Sequence, residues 1–338
     1  MAAAAILLML LIASVWWLRD AVSRPLALPQ SGAVVAVQPG ESFGQFLSGL
    51  VAQGYLESAR PLAIWARWRG LDRRVKAGEY RISVGTSGAA LLELLAEGTV
   101  VSYQVTLPEG ITLAEALGRL HNDDRLARVL EGPNDPAVLE IVAPHSNPEG
   151  LFLPETYQFV RGDSDLDILV RAHRLLQDAL GQAWASRARD LPLTTPYEAL
   201  ILASIVERET AVPSEREAIA GVFVRRLQLG MRLQTDPTVI YGLGDAFDGN
   251  LTRKHLADDQ NPWNTYILKG LPPTPIALPG RAALAAALHP LEGKALYFVA
   301  RGDGYHAFSE TLDEHNARVR EFQLTRRRDY RSTPGDKD

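Results

Sequence analysis

The run Tyr197-Glu198-Ala199-Leu200-Ile201-Leu202-Ala203-Ser204-Ile205-Val206-Glu207-Arg208-Glu209-Thr210 decides how this chain reads. Its first half carries little polarity on any helical face, the pattern of a buried helix. The start is well marked: Thr195 suits the N-cap, Pro196 the first helical position, and Glu198 completes a Thr-x-x-Glu capping box. The end carries two acids, and an unpaired charge in an apolar setting is costly, so they need a partner or a task. At about 100° per residue Glu207 falls near Leu200, Ala203 and Ser204, while Glu209 points toward Ile201, Leu202 and Ile205. The small Ala203 and Ser204 leave room for a ligand beside Glu207. Partial burial there raises its pKa and keeps a proton available, which a glycosidic leaving group requires. The competing reading makes both acids structural partners of Arg208, Arg216 or Arg225.

Downstream, Val212 to Glu217 opens a second helix, with Ser214 and Glu217 as its capping box and Gly230 as its stop. Gln234, Thr235 and Asp236 stand beside Pro237, with Tyr241 close behind, and Asn261-Pro262-Trp263-Asn264-Thr265-Tyr266 repeats the mixture. Sugar sites combine amides, carboxylates and rings in this way, although Asp or Asn before Pro is also ordinary turn chemistry. Leu271 to Gly280 is a proline-rich irregular loop, 282–288 a helix, and 295–309 a strand, turn and strand. His306 in that hairpin is expected to be hydrogen-bonded and without chemistry. The last helix is expected over 312–328.

At the start of the chain, Ala2 to Leu18 is uncharged and almost wholly apolar, with Trp16 and Trp17 suited to a membrane interface and Arg19 closing the run. It reads as a retained anchor; a cleaved signal peptide would need a basic lead. Residues 21–32 read as a linker. From 33 the order is strand, two helices, strand, helix, an α+β module. Glu149 to Tyr157 ends an irregular stretch rich in Pro, Asn and Gly, and places Glu155 and Tyr157 as candidate lining of a cleft. The 338 residues carry a net charge of -5, which gives no support to a nucleic-acid partner. There is no cysteine, and the seven histidines include no metal-binding pair, which argues against a zinc hydrolase. No metal and no cofactor are expected.

Ala203 to Ala211, Gly230 to Gly242, Asn264-Thr265-Tyr266 and Gly270-Leu271-Pro272-Pro273 together resemble the YceG-like family of endolytic murein transglycosylases, in the same order and over nearly the whole chain. The resemblance implies an α+β protein with an anchor at 1–20, a linker at 21–32, a LysM-like module at 33–100, a catalytic domain at 101–330 and a tail at 331–338. It implies cleavage between N-acetylmuramic acid and N-acetylglucosamine inside the glycan strand, without water, leaving 1,6-anhydro ends. Glu207 would give a proton to the leaving oxygen and then take one from the sugar's own C6 hydroxyl. Glu155, Gln234, Asp236, Tyr241, Asn264 and Tyr266 would hold the sugars. The alternatives are a two-carboxylate hydrolase drawing on Glu209, Glu155 or Asp236, and an inactive wall-binding scaffold. The family further implies a single-pass inner-membrane protein with its bulk in the periplasm, beside penicillin-binding proteins. Arg19 and Arg24, which follow the span, argue for the opposite orientation on charge alone.

Overall fold

The computed structural model describes residues 2–38 and 40–324. Pro39, the end of the expected last helix and the expected tail at 331–338 lie outside the described residues. The chain is mixed α and β, with small two-stranded sheets, and it divides into two compact units.

The first unit holds residues 1–104, 123–127 and 158–164. Helix α1 (Ala2–Ser23) opens it. Within α1 the stretch Ala5–Ser23 is long and apolar enough to cross a membrane and is almost wholly unburied, which is compatible with a single-pass anchor. Next come β1 (Ala33–Val37), α2 (Phe43–Ala52), α3 (Arg60–Arg69), β2 (Gly78–Ile82) and α4 (Gly88–Glu97), and β3 (Ser102–Thr106) begins here. Strands β1 and β2 pair antiparallel, with Ala33 opposite Ile82 and Val37 opposite Gly78. Alternation along the two strands turns Val35, Val37, Tyr80 and Ile82 inward, onto Phe46, Leu47 and Leu50 of α2 and Leu91, Leu92 and Leu95 of α4. Residues 21–32 are not a free linker. Val22 and Leu26 are buried in this core, Leu26 N–H donates to Thr86 O (2.9 Å), and Ala27 N–H donates to Tyr55 O (3.1 Å). Buried apolar side chains and backbone hydrogen bonds tie the stretch down.

The second unit holds residues 105–122, 128–157 and the chain from 165 onward. Its elements are α5 (Leu113–His121), α6 (Pro136–Ile141), the start of β4 (Thr156–Val160), which pairs with β3, and then α7 (Asp165–Ala185), α8 (Pro196–Glu209) and α9 (Arg216–Gln228). After them come α10 (Asp236–Leu243), α11 (Arg253–Leu256), α12 (Arg281–Leu288), β5 (Tyr297–Ala300), β6 (His306–Ser309) and α13 (Leu312–Val319). Helix α8 lies at the centre, flanked by α7, α9, α10 and α12, and every residue from Ala199 to Glu207 is buried. Each large aliphatic side chain so placed stabilises the unit by roughly 1.5–3 kcal/mol.

The caps follow the sequence in part. Thr195 Oγ1 accepts from Glu198 N–H (3.2 Å), but the Glu198 carboxylate turns to the backbone N–H (2.5 Å) and hydroxyl (2.9 Å) of Thr194. The Ser214–Glu217 box does not form. A short turn of 3-10 helix, Pro213–Glu215, comes first, and Glu215 is drawn inward to the backbone N–H and the Nδ1 of His306, both at 2.8 Å. That bond makes His306 a hydrogen-bonded residue, as expected. Asp236-Pro237 does not make a turn; proline takes the first turn of α10, where its missing N–H costs nothing.

Candidate active site

The C-terminal turn of α8 presents its two acids to different surroundings. Glu207 faces α9 and the proline-rich loop. Its Oε1 accepts from the Arg216 guanidinium (3.0 Å) and its Oε2 from Gly280 N–H (2.9 Å). Arg216 also reaches Glu109 (3.4 Å), and Arg208 donates to Gly110 O (3.0 Å). A Cβ at Gly280 would lie 1.8 Å from Glu109 Oε1, so any larger residue there would push the Glu109 carboxylate aside. The space left by Ala203 and Ser204 is filled by the loop itself. Ile276 N–H donates to Ser204 Oγ (3.0 Å), and Ile276, Ala277 and Leu278 are buried. The Glu207 side chain is 4 % exposed. Burial pushes its pKa up, while the Gly280 N–H and Arg216 pull it down. Glu207 joins three segments of the unit, and it lines neither the cavity beside Glu209 nor the one beside Glu149.

Glu209, two residues on, is half-buried and lines a cavity of about 360 Å³. Gln234, Asp236 and Tyr266 line the same cavity, so three of the expected sugar-binding residues meet there. The Thr235 hydroxyl donates to Glu209 Oε1, and Tyr266 OH donates to Asp236 Oδ1 (2.6 Å). Burial lifts the Glu209 carboxyl to about 7; the Thr235 hydrogen bond opposes the rise, Asp236 adds to it, and Arg226 opposes it. As the last residue of α8, Glu209 also sits at the negative end of the helix dipole, which disfavours its charged form. Burial and Asp236 hold Tyr266 well above the ordinary phenol range, as a hydrogen-bond donor.

The rest of this cavity was not singled out from the sequence. Arg226 is buried and donates to the carbonyls of Leu296 (2.7 Å) and Leu233 (2.7 Å), and its charge lies over the Tyr297 ring at 5.1 Å. His315 stacks on Tyr297 with ring centroids 5.2 Å apart, and its buried Nδ1 has no partner among the described residues. Burial and then Arg226 lower its pKa, which keeps the ring neutral. Gln234 adopts φ 52°, a left-handed backbone that is uncommon outside glycine and clusters at functional sites.

The remaining expected residues lie elsewhere in the unit. Tyr241 lines a second cavity, of about 580 Å³, and its OH donates to Glu149 Oε2 (3.4 Å). Burial pushes Glu149 up to about 7, against hydrogen bonds from Leu113 N–H and Gly150 N–H. Asn264 is fully buried. Its Nδ2 donates to the carbonyls of His255, Leu256 and Asp258, and its Oδ1 accepts from Tyr266 N–H (3.0 Å), so it shapes the loop that carries Tyr266. Glu155 is exposed and accepts from Thr156 N–H (2.9 Å). Sequence patterning did not single out Glu149, because its neighbours read as an irregular loop. Among the described residues no group of three or more His, Asp or Glu side chains is arranged to hold a metal ion.

Residues 35–321 match the model of the YceG-like family. The chain is similar to the endolytic murein transglycosylase of Bacillus subtilis, 28 % identical over 83 % of this chain and 82 % of that protein. It is also similar to the endolytic murein transglycosylase of Streptococcus pneumoniae, 26 % identical over 85 % of this chain and 58 % of that protein. Among solved structures, a YceG-like protein of Listeria monocytogenes superposes with a TM-score of 0.54, is 28 % identical, and is matched over 86 % of this chain and 99 % of that one. With a match running through both compact units and across the α8 acids, the cavity beside Glu209 and the loop of Tyr266, the chain belongs to the YceG-like family.

Proposed function

We propose that the chain is an endolytic peptidoglycan lytic transglycosylase that cuts the β-1,4 bond between N-acetylmuramic acid and N-acetylglucosamine within glycan strands. Its relatives bear the name of that activity. The observation that carries the reading is the Glu209 carboxyl, pushed to about 7 and facing a cavity with Gln234, Asp236 and Tyr266. A group with that pKa holds a proton for much of the time near neutral pH, and it still gives a competent base once ionised.

In the proposed reaction Glu209 donates its proton to the leaving glycosidic oxygen as the bond to C1 of the muramic residue breaks. The Glu209 carboxylate then removes the proton from the C6 hydroxyl of the same sugar, and that oxygen closes on C1 to give the 1,6-anhydro end. One carboxyl regains the proton it gave, no water enters, and the internal nucleophile has a large proximity advantage. Asp236, held by Tyr266, and Gln234 are proposed to bind sugar hydroxyl and acetamido groups. Neutral His315 and the Tyr297 ring are proposed to form the apolar wall that a sugar face requires.

This reading moves the proton from Glu207, the acid favoured by the sequence, to Glu209. Arg216 and Gly280 already occupy both Glu207 oxygens. Glu207 is proposed to fix the turn that aims Glu209. The runner-up is a hydrolase in which Asp236 activates water, since it shares the cavity with Glu209. Glu209→Gln and Glu207→Gln proteins incubated with purified glycan strands, with products weighed by mass spectrometry, test the proposal. Anhydro ends from wild type and from Glu207→Gln, with none from Glu209→Gln, support it. Reducing ends identify the hydrolase. Cleavage retained by Glu209→Gln but lost in a folded Glu207→Gln returns the acid role to Glu207.

The first unit is proposed to be LysM-like, on its strand, two helices, strand order, and the helix α1 to anchor the chain in the inner membrane with its bulk in the periplasm. A site beside penicillin-binding proteins, terminating nascent strands, extends the same resemblance. Glycan binding by Tyr241 in the second cavity and by Glu155 belongs to this proposal as well.

A further inference from the structure

Helix α3 of the first unit has an outward face that the core does not explain. Leu62 and Ala66 are 2 % and 0 % exposed, whereas Ile64 is 54 % and Trp68 71 % exposed. At about 100° per residue Arg60, Ile64, Arg67 and Trp68 share one stripe on the opposite side of the helix. Trp65 packs against the core cluster and meets the edge of Trp68, with ring centroids 5.3 Å apart, so the Trp68 ring is braced while its outer surface stays open.

The charge in this stretch is as distinctive as its rings. Between residues 60 and 76 stand Arg60, Arg67, Arg69, Arg73, Arg74 and Lys76 against the single acid Asp72, in a chain of net charge -5. Arg69 turns toward Glu93 (4.0 Å). Arg60 and Arg67 are exposed and form no ion pair among the described residues. The position of the helix adds a second, independent observation. Helix α3 packs against α1, and Pro61 and Leu62 of its first turn line a cavity together with Trp17, near the end of the membrane-length stretch. Trp16 and Trp17 are 70 % and 60 % exposed, which suits the headgroup level of a bilayer.

We infer that the Arg60–Ile64–Arg67–Trp68 face of α3 is a membrane-surface contact for anionic lipid headgroups. The aliphatic and indole groups enter the interface and the two guanidiniums pair with lipid phosphates. A basic helix face with a large aromatic ring suits such a surface, and attachment of the same unit to α1 supplies a high local concentration of lipid. Sugars of the glycan would engage the rings, but would leave this run of cations without counter-charge. The inference rests on the anchor reading of α1 and is independent of which acid does the chemistry.

The absence of cysteine makes the test clean. The full chain carrying Ile64→Cys, labelled with a polarity-sensitive fluorophore, is reconstituted into phosphatidylcholine vesicles with and without phosphatidylglycerol. In the anionic vesicles the label is expected to shift to the blue and to resist acrylamide quenching. Reversing Arg60 and Arg67 to Glu is expected to lower the docked-to-free ratio by roughly tenfold or more, the effect of two cations at an anionic surface. The reversed variant should still float with the vesicles through α1. A label quenched equally in both vesicle types overturns the inference, as does shielding that ignores the charge reversal. Shielding that appears only with added glycan strands, or in detergent at rising protein concentration, also overturns it, in favour of a glycan face or a second copy. A labelled chain that does not float at all overturns the anchor reading and this inference together, and leaves the Glu209→Gln result untouched.

Discussion

Glu207 and Glu209 leave the same helix two residues apart, and burial raises the pKa of both. What surrounds them differs. Glu207 meets a guanidinium on one oxygen and a backbone N–H on the other, in a corner closed by the proline-rich loop. Glu209 has the Thr235 hydroxyl on one oxygen, feels Arg226 only as a charge, and borders an open cavity. Burial alone does not make an acid catalytic. On the reading proposed above, the useful proton belongs to the carboxyl whose partners are few and whose remaining side faces space that a ligand can fill.

The largest expected effect tests this contrast directly. Glu209→Gln should lower kcat for glycan cleavage by about 10²–10⁴, the usual contribution of a positioned acid–base group, with little change in glycan binding. Glu207→Gln should act on stability. Removing one partner of a buried ion pair leaves Arg216 with only the longer contact to Glu109, at a cost of about 3 kcal/mol. Thermal unfolding should show a lower Tm for Glu207→Gln, while the protein that remains folded keeps kcat within about tenfold of wild type. The opposite pattern, a stable but inactive Glu207→Gln, would reverse the assignment.

The pH dependence sharpens the same comparison. The pKa of Glu209 rises from 4.5 to about 7 on folding, so the folded state binds the proton more tightly than the unfolded state. Below pH 4.5 both states are protonated and there is no penalty; the penalty grows as pH rises through the interval and is complete above about 7. Glu209→Gln should therefore gain stability over wild type as pH rises, by about 1–3 kcal/mol at pH 8, read from denaturant unfolding at several pH values. Wild-type kcat/KM should fall as pH rises through about 7, where the proton needed for the leaving oxygen is lost.

Much of this site is legible in the sequence. Thr195 and Pro196 mark the start of α8, and the apolar run to Val206 reports its burial from local pattern alone. The stretches holding Gln234, Asp236 and Tyr266 carried the mixture of groups that a sugar site needs, and the fold brings these three together. Which acid faced the cavity was not legible. Helical angle placed Glu207 beside small residues, but a loop more than seventy positions away fills that space, and local periodicity carries no signal of such a contact. The same limit applies to Asn264, whose amide is spent on three carbonyls of its own loop, and to Tyr241, which looks into a different cavity from the residues quoted beside it. The Ser214–Glu217 box was a sound local pattern overruled by His306, ninety-one residues beyond Glu215.

A smaller effect is expected at Tyr266. Its hydroxyl holds Asp236 at 2.6 Å, and Tyr266→Phe removes that bond without opening the wall of the cavity. Loss of a charge-assisted hydrogen bond at about 1.5–3 kcal/mol, part of it recovered by solvent at an exposed carboxylate, should raise KM by several-fold and leave the anhydro product unchanged. A change of product from anhydro to reducing ends in this variant would mean that a freed Asp236 activates water, and it would favour the hydrolase.

The smallest effect separates backbone from side chain at Gln234. Its φ of 52° costs a non-glycine residue roughly 1 kcal/mol, and its side chain is exposed where the cavity opens. Gln234→Gly should relieve the strain and raise stability by about 0.5–1 kcal/mol, offset in part by the freer unfolded chain, whereas Gln234→Ala keeps the strain. Both remove the amide. If the amide holds a sugar, both variants should raise KM to a similar extent although they differ in Tm. If instead the left-handed turn matters because it aims Thr235 at Glu209, the alanine variant should keep the wild-type KM and pH profile, and only glycine should disturb them. Measuring the two variants side by side therefore tells whether this position serves the glycan directly or serves the carboxyl proposed to cut it.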